Sequence, residues 1–464
     1  MKKITVLVGL LVWQTSLQAQ SSNITIDLNE GLRQLEVRHC FVRAPAALQV
    51  QYTLRRHIRF ITWEDHDDTR NLAVSGNSLR LPEGHSGCLA YVVDHVERNV
   101  RGHQKAINKQ HPETRILDID RLLLRTIEVP GQMPIIEIRH PSAVKLSAPW
   151  QLLQRSALNT RYRMKPTPTY SRGFLAIGKL SLRTVYLGSS RLRLAVMSTN
   201  PMAPERLEQW VRTMAGTVAL TGGSFPLPDI QVLIIDMPGS SEPVPWGQVN
   251  RAGGQGVLFV VNTEFGDDQL YADWTAAHEF SHLLTPYTPN DRWLSEGFAS
   301  YHQNITRLRS GLLDERTAWK KLLAGFRRGQ KAAEKTDASV LKHAGRRHSM
   351  QMYWGGAVIA LKAEVALQQA TGGRMNLTLA LRGLQECCLN TGQSWSAAAM
   401  FTELDRISGT QVFSTLYEEE VKRQRFPEFT SLLEQLGVVQ TRWGSLRFEE
   451  QAPLAHIRKR IASG

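Results

Sequence analysis

The 464-residue sequence predicts an α+β multidomain chain, with a β-rich amino-terminal domain, an α/β middle domain and an all-helical carboxy-terminal domain. Three observations carry that reading. Apolar residues recur with period two through most of residues 24–197; a helical stretch and two buried-strand runs occupy about 200–261; helical period dominates after Gly311. A chain this long exceeds what one hydrophobic core ordinarily serves, so several domains are expected. Apolar residues make up 42% and charged residues 21%, the balance of a folded chain. The expected divisions are 1–20 for a signal segment, then domains at 21–197, 198–310 and 311–464.

The opening MKKITVLVGLLVWQTSLQAQ sets Lys2 and Lys3 before an apolar run from Ile4 to Trp13, with small or polar residues to Ala19. That is the layout of a secretory signal cleaved near Ala19 or Gln20, a retained anchor helix being the alternative. No later stretch is long and apolar enough to span a bilayer, so the mature chain is expected in the periplasm or outside the cell. LEVRHCFV, ALQVQYTL and LAYVVDHV read as strands, and NLAVSGNSLRLPEGHSG supplies turn residues between them. GKLSLRTVYLGSSRLRLAVM is the clearest hairpin, turning at Gly188, Ser189 and Ser190. YRMKPTPTYSRG is a proline-containing link. PERLEQWVRTMAGTVAL then reads as a helix, PLPDIQVLIIDMP as a buried strand and GGQGVLFVV as another strand. DQLYADWTAAHEFSHLL has the period of one helix, entered at Asp267 or Asp268 and stopped by Pro286 and Pro289. RTAWKKLLAGF, GAVIALKAEVALQQA, NLTLALRGLQECC and PEFTSLLEQLGV are helical.

Cys40 and Cys88 both fall in the strand-rich region, where an oxidising compartment allows a disulfide. Cys387 and Cys388 are adjacent, and the small ring that their bond would close is strained, so they are expected as small buried residues. The net charge of +14 comes largely from arginine in RSALNTRYRMK, KKLLAGFRRGQKAAEK, KHAGRRH and HIRKR. Such a field attracts anionic envelope surfaces such as lipid headgroups or acidic polysaccharide, with solvated faces as the simpler reading. Nucleic acid is not expected as a partner, because the basic runs lack interleaved aromatics.

The chemistry concentrates in HEFSHLL. Residues four apart share one face of a helix, so His278 and His282 can present both rings to one ion. Glu279 lies one position round, where it can reach a water beside the ion without ligating it; this is the H-E-x-x-H pattern. A catalytic zinc needs a third protein ligand and an open fourth position. WLSEGFASY supplies Glu296 at the start of a second helix after a proline-broken connection, giving a His278, His282, Glu296 site of the thermolysin sort for one zinc ion. No third histidine follows at metzincin spacing. Glu279 is the candidate general base. Ser300, one turn beyond Glu296, is expected at the surface, with support of a metal ligand from behind as the alternative.

HEFSH followed in order by WLSEGFASY, MYWGGAVIAL, QQATGGRMNLTLALRGL and FPEFTSLLEQLGV resembles the glycyl aminopeptidase family and the wider aminopeptidase N group of gluzincins, over about residues 173–438. The resemblance implies a thermolysin-like middle domain, zinc on His278, His282 and Glu296, water activation by Glu279, and stabilisation of the tetrahedral oxyanion by Tyr353 of a Y-x-x-G motif. It also implies that the strand before the zinc helix binds the substrate backbone as an added strand. RAGGQGVLFVV occupies that place, with Gly253 and Gly254 admitting a close approach. Gln255 stands where the group carries a glutamate for the substrate's free amine, and a neutral amide accepts a hydrogen bond without supplying charge. Aminopeptidase and endopeptidase activity both stay open. The expected function is a zinc metallopeptidase acting on a peptide or protein; the alternative is a non-catalytic, envelope-associated binding protein with a structural zinc. A structural site would need neither Glu279 nor Tyr353.

Overall fold

A computed structural model describes residues 22–28, 32, 34–66, 68–94, 102–126, 134–165, 173–251, 253–335, 341, 349–388, 394–423 and 425–464. The expected signal segment and residues 166–172 of the proline-containing link lie outside the described residues. The chain folds as a mixed α+β protein with several sheets.

Period-two patterning builds the amino-terminal part. Asn23–Leu28 and Gln34–Phe41 alternate buried and more exposed side chains, so one face of their eight-stranded sheet meets a core running from Ile24 to Ile177. Cys40 and Cys88 sit directly opposite each other on adjacent antiparallel strands and are bonded, with Cα atoms 4.0 Å apart.

The middle sheet has five strands in the order Ser181–Leu187, Ser190–Met197, Asp229–Asp236, Gly256–Val261, Trp246–Asn250. Asp229–Asp236 lies parallel to both of its neighbours and is almost wholly buried, as the apolar run Val232–Ile235 requires of a strand covered on both faces. The helix Ala203–Gly222 crosses between the parallel strands, lays Leu207, Trp210, Val211, Met214 and Val218 into the core, and ends at Gly223 with φ 75°. The opposite face packs on Ile107, Ile116, Phe174 and Ala176 of the preceding region. The hairpin Ser181–Met197, expected in the amino-terminal domain, is therefore one edge of this sheet, and a boundary at 197/198 would cut it. The parallel pairing that recruits the hairpin is a long-range contact, invisible to local periodicity.

Beyond Gly311, all four of the expected helices pack with the middle sheet in one contiguous core from Val185 to Ile461, so the division at 310/311 does not separate two cores. The carboxy-terminal part is also not all helical: Val438–Gln440 pairs antiparallel with Leu446–Phe448. Cys387 and Cys388 are bonded to each other, against the expectation from ring strain. Cys388 leaves the helix Leu377–Cys387 with φ −133° and ψ −24°, and this break accommodates the pairing. Among the described residues no helix is long and apolar enough to cross a membrane.

Candidate metal centre

The single helix expected over DQLYADWTAAHEFSHLL is broken. Asp267–Ala272 ends at Asp273, whose ψ of 144° leaves the helical region and whose carboxylate accepts from the Thr275 N–H at 2.7 Å. This restart launches a second helix, Thr275–Ser281, which continues as a 3₁₀ turn, His282–Leu284. Asp273 is thus a cap in mid-pattern, a role that Asp readily takes. His278 and His282 still share a face, with ring centroids 4.7 Å apart. The far end of the turn is held by the half-buried Arg251 guanidinium, which donates to the carbonyls of His282 at 2.8 Å and Thr285 at 3.1 Å. A cation suits the negative end of a helix.

Pro286 and Pro289 turn the chain, and the helix Arg292–Arg309 brings Glu296 back beside both imidazoles. Glu296 Oε2 is 3.4 Å from His278 Nε2 and 3.5 Å from His282 Nε2, and the three ligand atoms lie within 4.8 Å of one another. Two ligands each about 2.1 Å from a zinc ion at the tetrahedral angle are about 3.4 Å apart, so this donor set fits zinc. The outer ring nitrogens are held as well. His278 Nδ1 donates to Gln303 Oε1 at 2.8 Å, and His282 Nδ1 meets Ser295 Oγ at 3.0 Å, which turns both Nε2 atoms toward Glu296. Arg292 donates to Glu296 Oε1 at 3.3 Å. Burial works against the Glu296 charge, but hydrogen bonds and attraction from His278 and His282 outweigh it and hold the carboxyl well below its usual range.

Glu279 is buried beside the cluster, and burial raises its carboxyl above the ordinary value against the pull of the His282 and His278 rings. A backbone hydrogen bond from Val249 ties it to the edge strand Trp246–Asn250. That strand comes so near that a Cβ on Gly247 would lie 2.5 Å from Glu279 Cγ and 2.8 Å from Thr275 Cγ2, which only glycine permits. Tyr353, on the helix Ser349–Ala370, stacks its ring parallel to His278 with centroids 5.7 Å apart. Burial, followed by the Glu296 charge and a hydrogen bond to it, pushes the phenol well above its usual range and keeps its proton available for donation.

The structure thus brings together five of the eight expected residues: His278, Glu279, His282, Glu296 and Tyr353. It does not bring Gly253, Gly254 and Gln255 there. A Cβ on Gly253 would meet Met164 at 2.3 Å, and one on Gly254 would meet the Pro149 carbonyl at 1.9 Å, so both glycines serve close packing on the amino-terminal region. The Gln255 carbonyl accepts from the Gln231 N–H. The strand beside Glu279 is the one before that loop, Trp246–Asn250, because Gly256–Val261 lies inside the sheet. Ser300 is fully buried and not at the surface. Sequence reasoning missed Gln303, although its position seven residues past Glu296 puts it on the same helix face.

Fold and site together define a chain with the fold of the M1 zinc metallopeptidases, the aminopeptidase N group. No protein-family model matches the sequence, and no curated protein matches it. Among solved structures it is similar to an aminopeptidase N family protein from Idiomarina loihiensis, with a TM-score of 0.68, 15% identity and coverage of 90% of this chain and 78% of that one. It is also similar to an M1 zinc metallopeptidase from Deinococcus radiodurans, with a TM-score of 0.55, 16% identity and coverage of 88% and 94%. A mutant of the latter bound to a Tyr-Ser-Ala substrate gives a TM-score of 0.53 at 16% identity, covering 88% and 95%.

Proposed function

We propose that the chain is a single-zinc metallopeptidase that hydrolyses peptide bonds, acting outside the cytoplasm as its amino-terminal signal pattern suggests. The observation that carries this reading is the set of three ligand atoms at zinc-like spacing with a buried carboxylate and a protonated phenol at its margin. His278, His282 and Glu296 hold the ion. When bound, zinc polarises the scissile carbonyl and lowers the pKa of water beside it. Glu279 takes the proton of the attacking water and passes it to the departing amine, a role that suits a carboxyl raised by burial. Tyr353 donates its hydroxyl proton in a hydrogen bond to the oxygen on which negative charge gathers. The edge strand Trp246–Asn250 offers its free side to an extended peptide as an added strand, with Gly247 letting Glu279 pack directly against it.

A purely structural zinc would leave Glu279 buried at a cost with no use for it. The test is a broad peptide library incubated with zinc-loaded protein and with Glu279→Gln. The reading expects cleavage by the wild type, a loss of about 100-fold or more in the variant, and equal zinc in both. Undiminished cleavage by Glu279→Gln would remove the assigned base. Cleavage positions separate amino-terminal trimming from internal cutting.

A further inference from the structure

Phe60 departs from ordinary backbone and ordinary burial at once. It is one of two non-glycine residues at positive φ among the described residues, at 51°, and it is 78% exposed. The register of its strand, Ile58–Glu64, against Gly87–Asp94 slips between Arg59 and Thr62, so a bulge there turns the ring into solvent. Glycine would hold this left-handed position without strain, and an exposed aromatic ring gains nothing from water. No ring contact with any described residue explains the phenylalanine. Strain that the local packing does not require points to use.

The surroundings say what kind of use. Tyr52, on the preceding helical turn, is 61% exposed, and Arg56 hydrogen-bonds its hydroxyl and lies 4.8 Å over its ring. Arg55 donates to the Gly76 carbonyl, and Arg59 to the carbonyls of Arg56 and Ile58. Neither Arg55 nor Arg56 has a carboxylate partner among the described residues, while Arg59 reaches Asp94 only at 3.9 Å. The field here is positive: besides desolvation, Arg121, Arg59 and Arg56 all lower the pKa of His57, and only Asp94 opposes them.

We propose that this corner docks the protein on an anionic phospholipid bilayer, with Phe60 and Tyr52 entering the headgroup layer while Arg55, Arg56 and Arg59 engage phosphates. Arginines alone would satisfy a soluble polyanion. The two outward rings gain only where an apolar phase lies beneath the phosphates, and aromatic residues partition to that level. The net charge of +14 adds long-range attraction to the same surface.

The test is co-sedimentation of the full chain with phosphatidylglycerol-containing vesicles and with pure phosphatidylcholine vesicles, alongside binding to soluble dextran sulfate. Preferential binding to the anionic vesicles is expected. Arg55→Gln and Arg56→Gln should each weaken it about fivefold, and Phe60→Gly should weaken it by about as much through lost apolar burial. Because glycine relieves the left-handed backbone, Phe60→Gly should melt no lower than the wild type, which separates lost docking from lost folding. Vesicle binding unchanged in Phe60→Gly overturns the proposal. So does binding to dextran sulfate without binding to vesicles, which would make the corner a polyanion site.

Discussion

Gly356→Ala tests how the site is held together. A Cβ at Gly356 would lie 2.1 Å from the Trp293 carbonyl oxygen and 2.8 Å from Gly297 Cα, and one at Gly297 would lie 2.3 Å from Gly356 Cα. Both obstacles are main chain, so no side chain can swing aside. Carbon ordinarily meets a carbonyl oxygen at about 3.3 Å, so the helices Arg292–Arg309 and Ser349–Ala370 must part by roughly 1 Å. Such overpacking costs about 1–3 kcal/mol, which a typical stability of about 5–15 kcal/mol survives. Tyr353 sits one turn earlier on one of the two parting helices and Glu296 on the other, while His278 and His282 lie on a third segment, so the parting moves the phenol away from the ligand set. A 1 Å misplacement of a reacting group can cost about 100-fold. Initial rates at saturating peptide should therefore show kcat down by about that factor, with KM little changed and one zinc per chain by metal analysis. A folded, zinc-loaded Gly356→Ala with kcat within about twofold of wild type would refute this reasoning. Zinc lost in step with activity would mean that the glycine contact supports the ligands rather than the phenol.

Tyr353→Phe removes the donor while leaving the stacked ring, and kcat should fall about 100- to 1,000-fold with zinc retained; an unchanged rate would take the oxyanion role from Tyr353. Gln303→Leu leaves His278 Nδ1 without its 2.8 Å partner, and competition with a chelator should show zinc affinity weaker by about 10- to 100-fold. His39 is buried in the amino-terminal core, and burial pulls its pKa down to about 3 from the ordinary 6.5. The unfolded chain gains a proton below about pH 6.5 that the folded chain refuses until about pH 3, so stability falls as pH drops through that window. Urea unfolding should show the wild type losing about 2 kcal/mol more than His39→Leu between pH 7 and pH 5, about 1.4 kcal/mol for each unit below 6.5; parallel losses would contradict the assignment.

Much of the centre was legible because its parts are local. The spacing of His278, Glu279 and His282 needs only helical period, and Pro286 and Pro289 announce the turn that returns Glu296. The hairpin at Gly188 and the crossover helix Ala203–Gly222 are equally local. What the sequence hid depends on distant pairing. WGQVN carries little strand signal, and it becomes the strand over Glu279 only by pairing with Gly256–Val261. Gly253 and Gly254 advertise a close approach, but the partners that approach are Met164, Pro149 and Trp150 of the protein itself. The hairpin Ser181–Met197 joins the middle sheet for the same reason, its parallel pairing setting Arg191 opposite the distant Asp229. Gly297 and Gly356 read singly as small residues in helices, and only the crossing of the two helices shows why neither tolerates a side chain.

In the proposed centre two imidazoles and one carboxylate, His278, His282 and Glu296, hold a single zinc ion with a position left for solvent. X-ray absorption at the zinc edge of the purified, zinc-loaded chain measures that set directly. Two imidazole nitrogens with two oxygens, all at about 2.0–2.2 Å, one of the oxygens disappearing or lengthening in Glu296→Ala, is the predicted result. Sulfur scattering at about 2.3 Å, or a spectrum unaltered in Glu296→Ala, would place the metal elsewhere and contradict the account.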